Sequence, residues 1–159
     1  MGRRDGGTVR YVDTNIFVRY LTQDDPIKSA ACLAFFKDVR DEKVEATTCE
    51  AVISEVVYVL ASRVSYQLAR ADIRTRLTPV LSLRGLKLPH RNVYLRALDL
   101  YVTHTSLDFE DALCVAHMER AGIRDIESYD RDFDRVPGVT RHEPVVPALR
   151  TPPDNAPNG

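Results

Sequence analysis

Apolar residues recur at helical spacing along most of the chain. Within residues 24–42, the apolar residues recur at intervals of three and four, which is typical of one face of a helix; they are Ile27, Ala30, Ala31, Ala34 and Phe35. The same spacing predicts helices over residues 15–21, 24–42, 49–63, 65–83, 91–104 and 108–122. Because proline removes a backbone donor, we expect the segment 65–83 to form one or two helices with a break near Pro79.

Two of these helices carry recognisable end signals. Asp25 precedes Pro26, which is the order of an N-cap residue followed by a proline in the first turn. Asp108 and Asp111 have a spacing similar to that of a capping box, and Gly122 follows the last apolar position of the same helix. The signals therefore predict N-caps at residues 25 and 108 and a helix end at residue 122.

Short apolar runs between the helices predict strands, at residues 9–13, 43–47, 86–88, 125–130 and 139–142. Because these strands alternate with helices, the pattern predicts an α/β domain with a mainly parallel sheet of four to five strands. We expect the domain to span residues 9–143. Residues 1–8 should form a flexible N-terminus, and the proline-rich residues 144–159 a partly disordered tail.

The composition is that of a soluble globular protein: the chain has 159 residues, of which 44% are hydrophobic and 28% charged. No run approaches the roughly 20 apolar residues of a membrane span, and the N-terminus lacks the apolar stretch of a signal peptide. The three cysteines form no CxxC pair, so we expect buried free thiols in a reducing cytoplasm. A net charge of −1 leaves a local nucleic-acid patch possible.

Four acidic residues come from distant segments that the α/β pattern brings to one edge of the sheet. Asp13 and Asp130 each end a predicted strand, Asp111 lies in the first turn of its helix, and Glu55 lies in the first half of another. In open α/β sheets the carboxyl ends of the strands form one rim, where ligands bind. We therefore expect these carboxylates to converge.

Convergent carboxylates raise each other's pKa unless a cation neutralises them. An all-oxygen site suits Mg²⁺ or Mn²⁺, and such ions activate water for phosphodiester hydrolysis. The four scattered histidines offer no catalytic triad. Each acid also has a simpler interpretation when it is taken alone, because Asp13 and Asp108 could cap helices and Glu55 could lie on a solvated helix face.

Four motifs in the chain resemble those of a known family. They are "YVDTNIFVRYL", "SEVVYVLASR", "LDFEDALCVAHMERAG" and "SYDRDFDRVPGV", and together they cover roughly residues 9–142. In this order they resemble the PIN-domain nucleases, and most closely the VapC-like toxin ribonucleases of type II toxin–antitoxin pairs. Each motif is weakly specific, whereas the ordered set of four is strong.

The resemblance implies roles for individual residues. The catalytic and metal-binding acids would be Asp13, Glu55, Asp111 and Asp130. Asn15 would orient the first acid, Ser128 replaces a threonine that the family often has near the fourth acid, and Asp108 is an extra acid that some members carry. Arg19 and Arg131 are adjacent to these motifs and are candidates for contacts with the RNA backbone.

The resemblance also implies a fold, an activity and partners. The fold would be a three-layer α/β/α arrangement with the parallel sheet in the centre. The activity would be cleavage of RNA with Mg²⁺ or Mn²⁺ in the cytoplasm. Toxins of this kind form homodimers and are blocked by a cognate antitoxin. Tyr58 and Tyr66 could belong to a dimer face or an antitoxin groove, or to the core.

Several other functions compete with the toxin ribonuclease. The chain could be a stand-alone RNA-processing PIN nuclease or a PIN-fold binding module without activity. A haloacid-dehalogenase-like phosphatase also starts with a strand that ends in aspartate, but it needs a second aspartate where this chain has Asn15. A receiver domain needs a lysine at a strand end, whereas Lys43 and Lys87 lie at strand starts.

Overall fold

A computed structural model of the protein describes residues 8–147. Its six α-helices are α1 Thr14–Thr22, α2 Pro26–Arg40, α3 Glu50–Ala61, α4 Arg70–Leu81, α5 Arg91–Thr103 and α6 Phe109–Ala121. Its strands are β1 Arg10–Tyr11, β2 Ala46–Thr47, β3 Asp125–Glu127 and β4 Thr140–His142, and a 3₁₀ helix covers Arg131–Arg135. Most of the predicted flexible N-terminus (1–8) and proline-rich tail (144–159) lies outside the described residues.

The chain divides into two compact units between Ile123 and Arg124. In the first unit β1 pairs in parallel with β2, and α1 packs on α2 and α3 while α5 packs along α6. The second unit consists of the parallel pair β3–β4 and the 3₁₀ helix. Parallel strands and helices in alternation confirm the predicted α/β class.

The predicted sheet of four to five strands is wrong in its extent. The strands form two separate parallel pairs, and the predicted strand 86–88 is reduced to a single bridge between Leu86 and Ala46. At the first pair, α1 begins directly after Asp13, so the backbone leaves the extended conformation there and the strand cannot continue. At β3 the strand ends at Glu127, because Ser128 and Asp130 already shape the following turn.

The predicted helix ends at residues 25, 108 and 122 are confirmed. The Asp25 side chain accepts a hydrogen bond from the Lys28 amide at 3.0 Å, and Pro26 opens α2. The Asp108 side chain accepts one from the Asp111 amide at 2.8 Å. Gly122 ends α6 with a φ of 70°, a left-handed conformation that glycine adopts without steric cost.

The predicted helix over 65–83 is wrong in two respects. Helix α4 starts only at Arg70, because residues 62–69 form turns in which Gln67 has a φ of 51°. Pro79 does not break the helix either; it lies in the last turn. There the missing amide removes a single bond, and the Ser82 amide still reaches the Thr78 carbonyl at 3.1 Å.

The core of the first unit is formed by fully buried side chains, among them Phe17, Phe36, Ile53, Leu60, Ile73, Leu77, Leu86, Leu98 and Leu107. The chain passes very close to this core at Gly85. A Cβ atom there would lie 2.1 Å from the Val39 carbonyl oxygen, so no other residue fits without a shift of the backbone. Gly85 thereby allows its own carbonyl to accept a hydrogen bond from the Ala46 amide at 2.9 Å.

Two remaining expectations concern cysteines and membrane spans. Cys32 is buried as predicted, but the prediction is wrong for Cys49 and Cys114, which are exposed. Cys49 is the N-cap residue of α3, and Cys114 lies in the middle of α6. Within the described residues, every helix is too short or too polar to cross a bilayer.

Candidate functional site

Asp13 lies at the junction of β1 and α1. The residue before it, Val12, is buried, and its amide donates to the Thr47 carbonyl at 2.9 Å. The Val12 carbonyl accepts a hydrogen bond from the Thr48 hydroxyl at 2.8 Å, so both sides of the junction are anchored to the β2 segment. The Asp13 carboxylate is exposed and accepts from the Thr14 amide at 2.8 Å. It thus faces solvent at a fixed helix start.

Among the hydrogen bonds of the described residues, none joins Asp13 to Asn15, its predicted partner. Asn15 lies in the first turn of α1 and is exposed. The hydrogen bond that orients the Asp13 carboxylate comes from the backbone of Thr14. The role of Asn15 therefore stays a prediction, and the backbone supplies the orientation that we had assigned to its side chain.

Asp108 and Asp111 form the start of α6. Asp108 is the N-cap residue, and its carboxylate accepts from the Asp111 amide at 2.8 Å. Asp111 and Glu110 lie in the first helical turn, where the helix dipole favours negative charge. The capping interpretation of Asp108 is therefore confirmed, and Asp108 fixes the backbone that carries Asp111.

Glu55 faces a groove of about 860 Å³ between α3 and α6, with α5 at one end. Its lining carries four carboxylates, from Glu50, Glu55, Asp108 and Glu110. Apolar and aromatic side chains complete the lining, including Val57, Tyr58, Tyr101, Phe109 and Leu113. The groove is thus acidic at its rim and apolar along its floor.

A histidine–glutamate pair lies in the same groove and was not predicted. His117 Nε2 is 2.7 Å from Glu50 Oε2, and each side chain is about two fifths exposed. His117 follows Glu110 and Cys114 at spacings of seven and three, which puts these three side chains on one face of α6. That spacing was visible in the sequence. The pairing with Glu50, which is 67 residues away, was not.

Asp130 lies in the second unit, at the start of the 3₁₀ helix. Its carboxylate accepts from the Asp132 amide at 2.9 Å, and its own amide donates to the Ser128 hydroxyl at 3.0 Å. The Ser128 carbonyl in turn accepts from Arg141 Nη1 at 2.7 Å. Ser128 therefore contacts the backbone amide of Asp130, and its predicted role in orienting the carboxylate stays a prediction.

The two arginines that we assigned to RNA differ in their surroundings. Arg19 donates to both carboxylate oxygens of Asp24 at 2.8 Å, and Asp24 also accepts from the Tyr66 hydroxyl. These contacts, with the Tyr66 bond the larger cause, lower the pKa of Asp24 to about 2. Arg131 is exposed on the 3₁₀ helix. Contact with RNA would require Arg19 to share its guanidinium with Asp24.

Contacts at the start of α3 change the pKa of the Cys49 thiol. A hydrogen bond with the Tyr11 side chain and the amides of the first turn of α3 lower the pKa of Cys49. The same contact raises the pKa of Tyr11. By contrast, burial and the nearby Asp111 raise the pKa of Cys114. The pKa values of the two exposed cysteines are therefore shifted in opposite directions.

The carboxylates fit a divalent ion by their chemistry, but they do not form a preassembled cage. Within residues 8–147, no group of three or more His, Cys, Asp or Glu side chains is arranged to hold a metal. Glu55 and Asp108 share the groove, whereas Asp13 and Asp111 are not among its described lining residues. Mg²⁺ commonly takes one or two protein carboxylates and keeps several waters. Such an ion would not need four preassembled ligands.

Comparison with known proteins gives one positive finding. Residues 10–139 match the family model described as PIN domain, and this range contains every acid considered above. The match covers most of the chain and extends over parts of both compact units. No curated protein matches the sequence significantly.

Proposed function

Because the chain belongs to the PIN domain family, we propose that it is a divalent-metal-dependent endoribonuclease and the toxin of a toxin–antitoxin pair. PIN domains have a nuclease fold and are generally metal-dependent. The observation that carries the proposal is the location of the acids. Asp13 and Asp111 each lie in a hydrogen-bonded helix start, in the order that the family resemblance assigns to them.

The acids proposed to hold Mg²⁺ or Mn²⁺ are Asp13, Glu55, Asp111 and Asp130. When bound, the ion supplies activated water and neutralises charge on the phosphodiester. The Thr14 amide orients the first carboxylate, and the Asp108 cap fixes the turn that carries the third. The Ser128 hydroxyl fixes the backbone of the fourth.

The negative charge of the groove supports the proposal that RNA binds there only when a metal ion is bound. Its four carboxylates repel a polyanion at close range, so the RNA backbone gains from an ion that neutralises them. Arg19 and Arg131 are the proposed cationic contacts to RNA. The Asp24 pair leaves Arg19 about one third exposed, which keeps part of its side chain accessible.

The proposed antitoxin would cover the same groove. Four carboxylates over an apolar floor favour a segment that presents both cationic and apolar side chains. Tyr58 lines the groove and is 70% exposed, so it offers apolar area to a partner. We propose in addition that the protein is a cytoplasmic homodimer.

The catalytic proposal is tested by RNA cleavage in Mg²⁺ or Mn²⁺, with and without EDTA. We expect Asp13→Asn, Glu55→Gln, Asp111→Asn and Asp130→Asn to lower the rate by more than about 100-fold, since even the supporting partners of metal ligands cost 10–100-fold. Asp99→Asn is the matched control, because Asp99 is a surface acid whose partner Arg74 lies 3.5 Å away. Cleavage that persists in EDTA or in Asp13→Asn would contradict the mechanism.

The toxin role is tested separately, by expressing the protein in cells. We expect growth to stop with wild type and to continue with Asp13→Asn at equal protein level. Co-expression of the product of the neighbouring upstream gene should restore growth and form a complex with the toxin. A nuclease that is active in vitro but harmless in cells would favour the stand-alone processing enzyme. Complete inactivity would favour the binding module.

A further inference from the structure

Arg70 connects three elements at the start of α6, and no sequence motif pointed to it. It is the first residue of α4, and it lines the acidic groove, as do Tyr101 and Asp108. Its Nη1 atom donates to the Leu107 carbonyl at 2.6 Å and to the Tyr101 carbonyl at 2.8 Å, with a longer contact to the His104 carbonyl at 3.4 Å. All three acceptors belong to the end of α5 or the connection to α6.

The guanidinium of Arg70 also packs against the ring of Tyr101. The Arg70 Cζ atom lies 4.0 Å from the ring centroid, a cation–π geometry. The other neighbour of the ring is Phe109, the first residue of α6, at a centroid distance of 5.8 Å in an edge-on arrangement. Tyr101 is 6% exposed and Leu107 is fully buried. Arg70 is therefore packed on one side and hydrogen-bonded on the other.

The Leu107 carbonyl belongs to the peptide unit that enters Asp108. Asp108 caps α6 by accepting from the Asp111 amide, so the orientation of that peptide decides where the first turn of α6 lies. Both short bonds come from the N–H groups of Nη1, and the planar guanidinium that packs on the Tyr101 ring fixes their directions. A lysine ammonium on a flexible stem has no planar group to pack in this way.

We propose that Arg70 is a positioning residue that sets the Asp108–Asp111 turn and thereby tunes metal binding at Asp111. The metal part of this inference rests on the proposed nuclease function, whereas the positioning part does not. Partners that orient metal ligands typically change metal affinity or activity by 10–100-fold when they are removed. Arg70 acts through neutral carbonyls, so its effect is on geometry and on the local field of the groove.

The test compares wild type, Arg70→Lys and Arg70→Gln with the control Arg76→Lys, all as the full chain and at a temperature where each variant is folded. Arg76 is a matched control because it also donates to a backbone carbonyl, that of Leu21 at 2.9 Å, on another side of α4. Three quantities are measured: hydrogen exchange of the Asp111 amide, the Kd for Mn²⁺ by electron paramagnetic resonance, and RNA cleavage.

We expect both Arg70 variants to accelerate exchange of the Asp111 amide and to weaken Mn²⁺ binding by about tenfold, with cleavage lowered in parallel. Arg76→Lys should leave all three within twofold of wild type, even if it lowers the melting temperature. Unchanged exchange of Asp111 in both Arg70 variants would overturn the inference. If the exchange changes but wild type cleaves no RNA, the nuclease proposal fails and the positioning role remains.

Discussion

Arg70 and Arg141 each donate a hydrogen bond to a backbone carbonyl just before a turn that carries a proposed metal ligand. Arg70 reaches the Leu107 carbonyl at 2.6 Å, ahead of Asp111, and Arg141 reaches the Ser128 carbonyl at 2.7 Å, ahead of Asp130. In both turns an arginine therefore binds the backbone ahead of the proposed ligand, although the turns belong to different compact units.

The two arginines differ in what else they contact. The direct contacts of Arg70 are neutral, namely further carbonyls and the ring of Tyr101. Arg141 is bound to two carboxylates, with Asp134 Oδ1 at 2.9 Å and Glu143 Oε1 at 2.7 Å. Neutral contacts and packing are little affected by salt, whereas exposed ion pairs are screened. The Asp111 turn should therefore be robust in conditions that loosen the Asp130 turn.

The largest expected effect comes from removing the packing beneath the Asp111 turn. Leu107→Ala deletes a fully buried side chain and should lower the free energy of unfolding by about 3 kcal/mol. Urea denaturation measures this change. Val64→Ala is the control, because Val64 is 95% exposed and its truncation should cost less than about 0.5 kcal/mol. Equal effects of the two substitutions would show that the turn does not depend on packing.

A smaller effect distinguishes the cap from the charge at Asp108. Asp108→Ala removes the cap of α6 and should cost about 1 kcal/mol, while Asp108→Asn keeps it and should cost little. Thermal denaturation gives the stability, and RNA cleavage gives the function. If Asp108 acts through its cap, Asp108→Asn retains cleavage. Loss of cleavage in a stable Asp108→Asn would instead make Asp108 a ligand in its own right.

Salt should separate the two turns directly. Hydrogen exchange of the β3–β4 amides should rise on going from low salt to 1 M NaCl, since salt screens the contacts of Arg141 with Asp134 and Glu143. Exchange of the Asp111 amide should stay unchanged. In Arg141→Met the salt response of β3–β4 should largely disappear. A response of equal size in both turns would refute the distinction.

The smallest effect concerns another ion-paired arginine, Arg19, through its partner Asp24. The Tyr66 hydrogen bond and Arg19 lower the pKa of Asp24 from an ordinary 3.8 to about 2. A lowered pKa stabilises the fold above the unfolded-state value, so this contribution is present above about pH 4 and is lost as the pH falls toward 2. The melting temperature of wild type minus that of Asp24→Asn should therefore shrink over that range. In Tyr66→Phe the pKa of Asp24 in the folded state lies closer to 3.8, so the loss should be smaller and should be complete at a higher pH.

Sequence patterns predicted the helices of this protein better than its strands. The Asp25–Pro26 start and the Asp108–Gly122 limits are local signals, and each is found where it was expected. Strands of two or three residues are too short to show an alternating pattern, and their pairing joins segments far apart in the chain. The sheet was therefore overestimated, although its parallel character was correct.

In the candidate site, too, local sequence signals were easier to predict from than contacts between distant segments. The family motifs pointed to Asp13, Glu55, Asp111 and Asp130 as candidates, and the helix-start signal correctly predicted the cap at Asp108. Arg70 was not predicted, because the carbonyls that accept its hydrogen bonds lie 31 to 37 residues away in the sequence. It was also assigned to the interior of a longer predicted helix. Every residue has a backbone carbonyl, so the sequence does not show which carbonyl a side chain binds. A residue that binds carbonyls therefore cannot be recognised from the spacing of polar residues.

Gly85 and Gly122 predict opposite outcomes in a saturation library of this protein. At position 85 every side chain meets the Val39 carbonyl oxygen at 2.1 Å, so selection for folded variants should return glycine alone. Position 122 has open space but a φ of 70°, so asparagine, which tolerates this conformation, should survive there at a measurable frequency. Enrichment scores would thus distinguish position 85, where no side chain fits, from position 122, where the backbone conformation alone favours glycine.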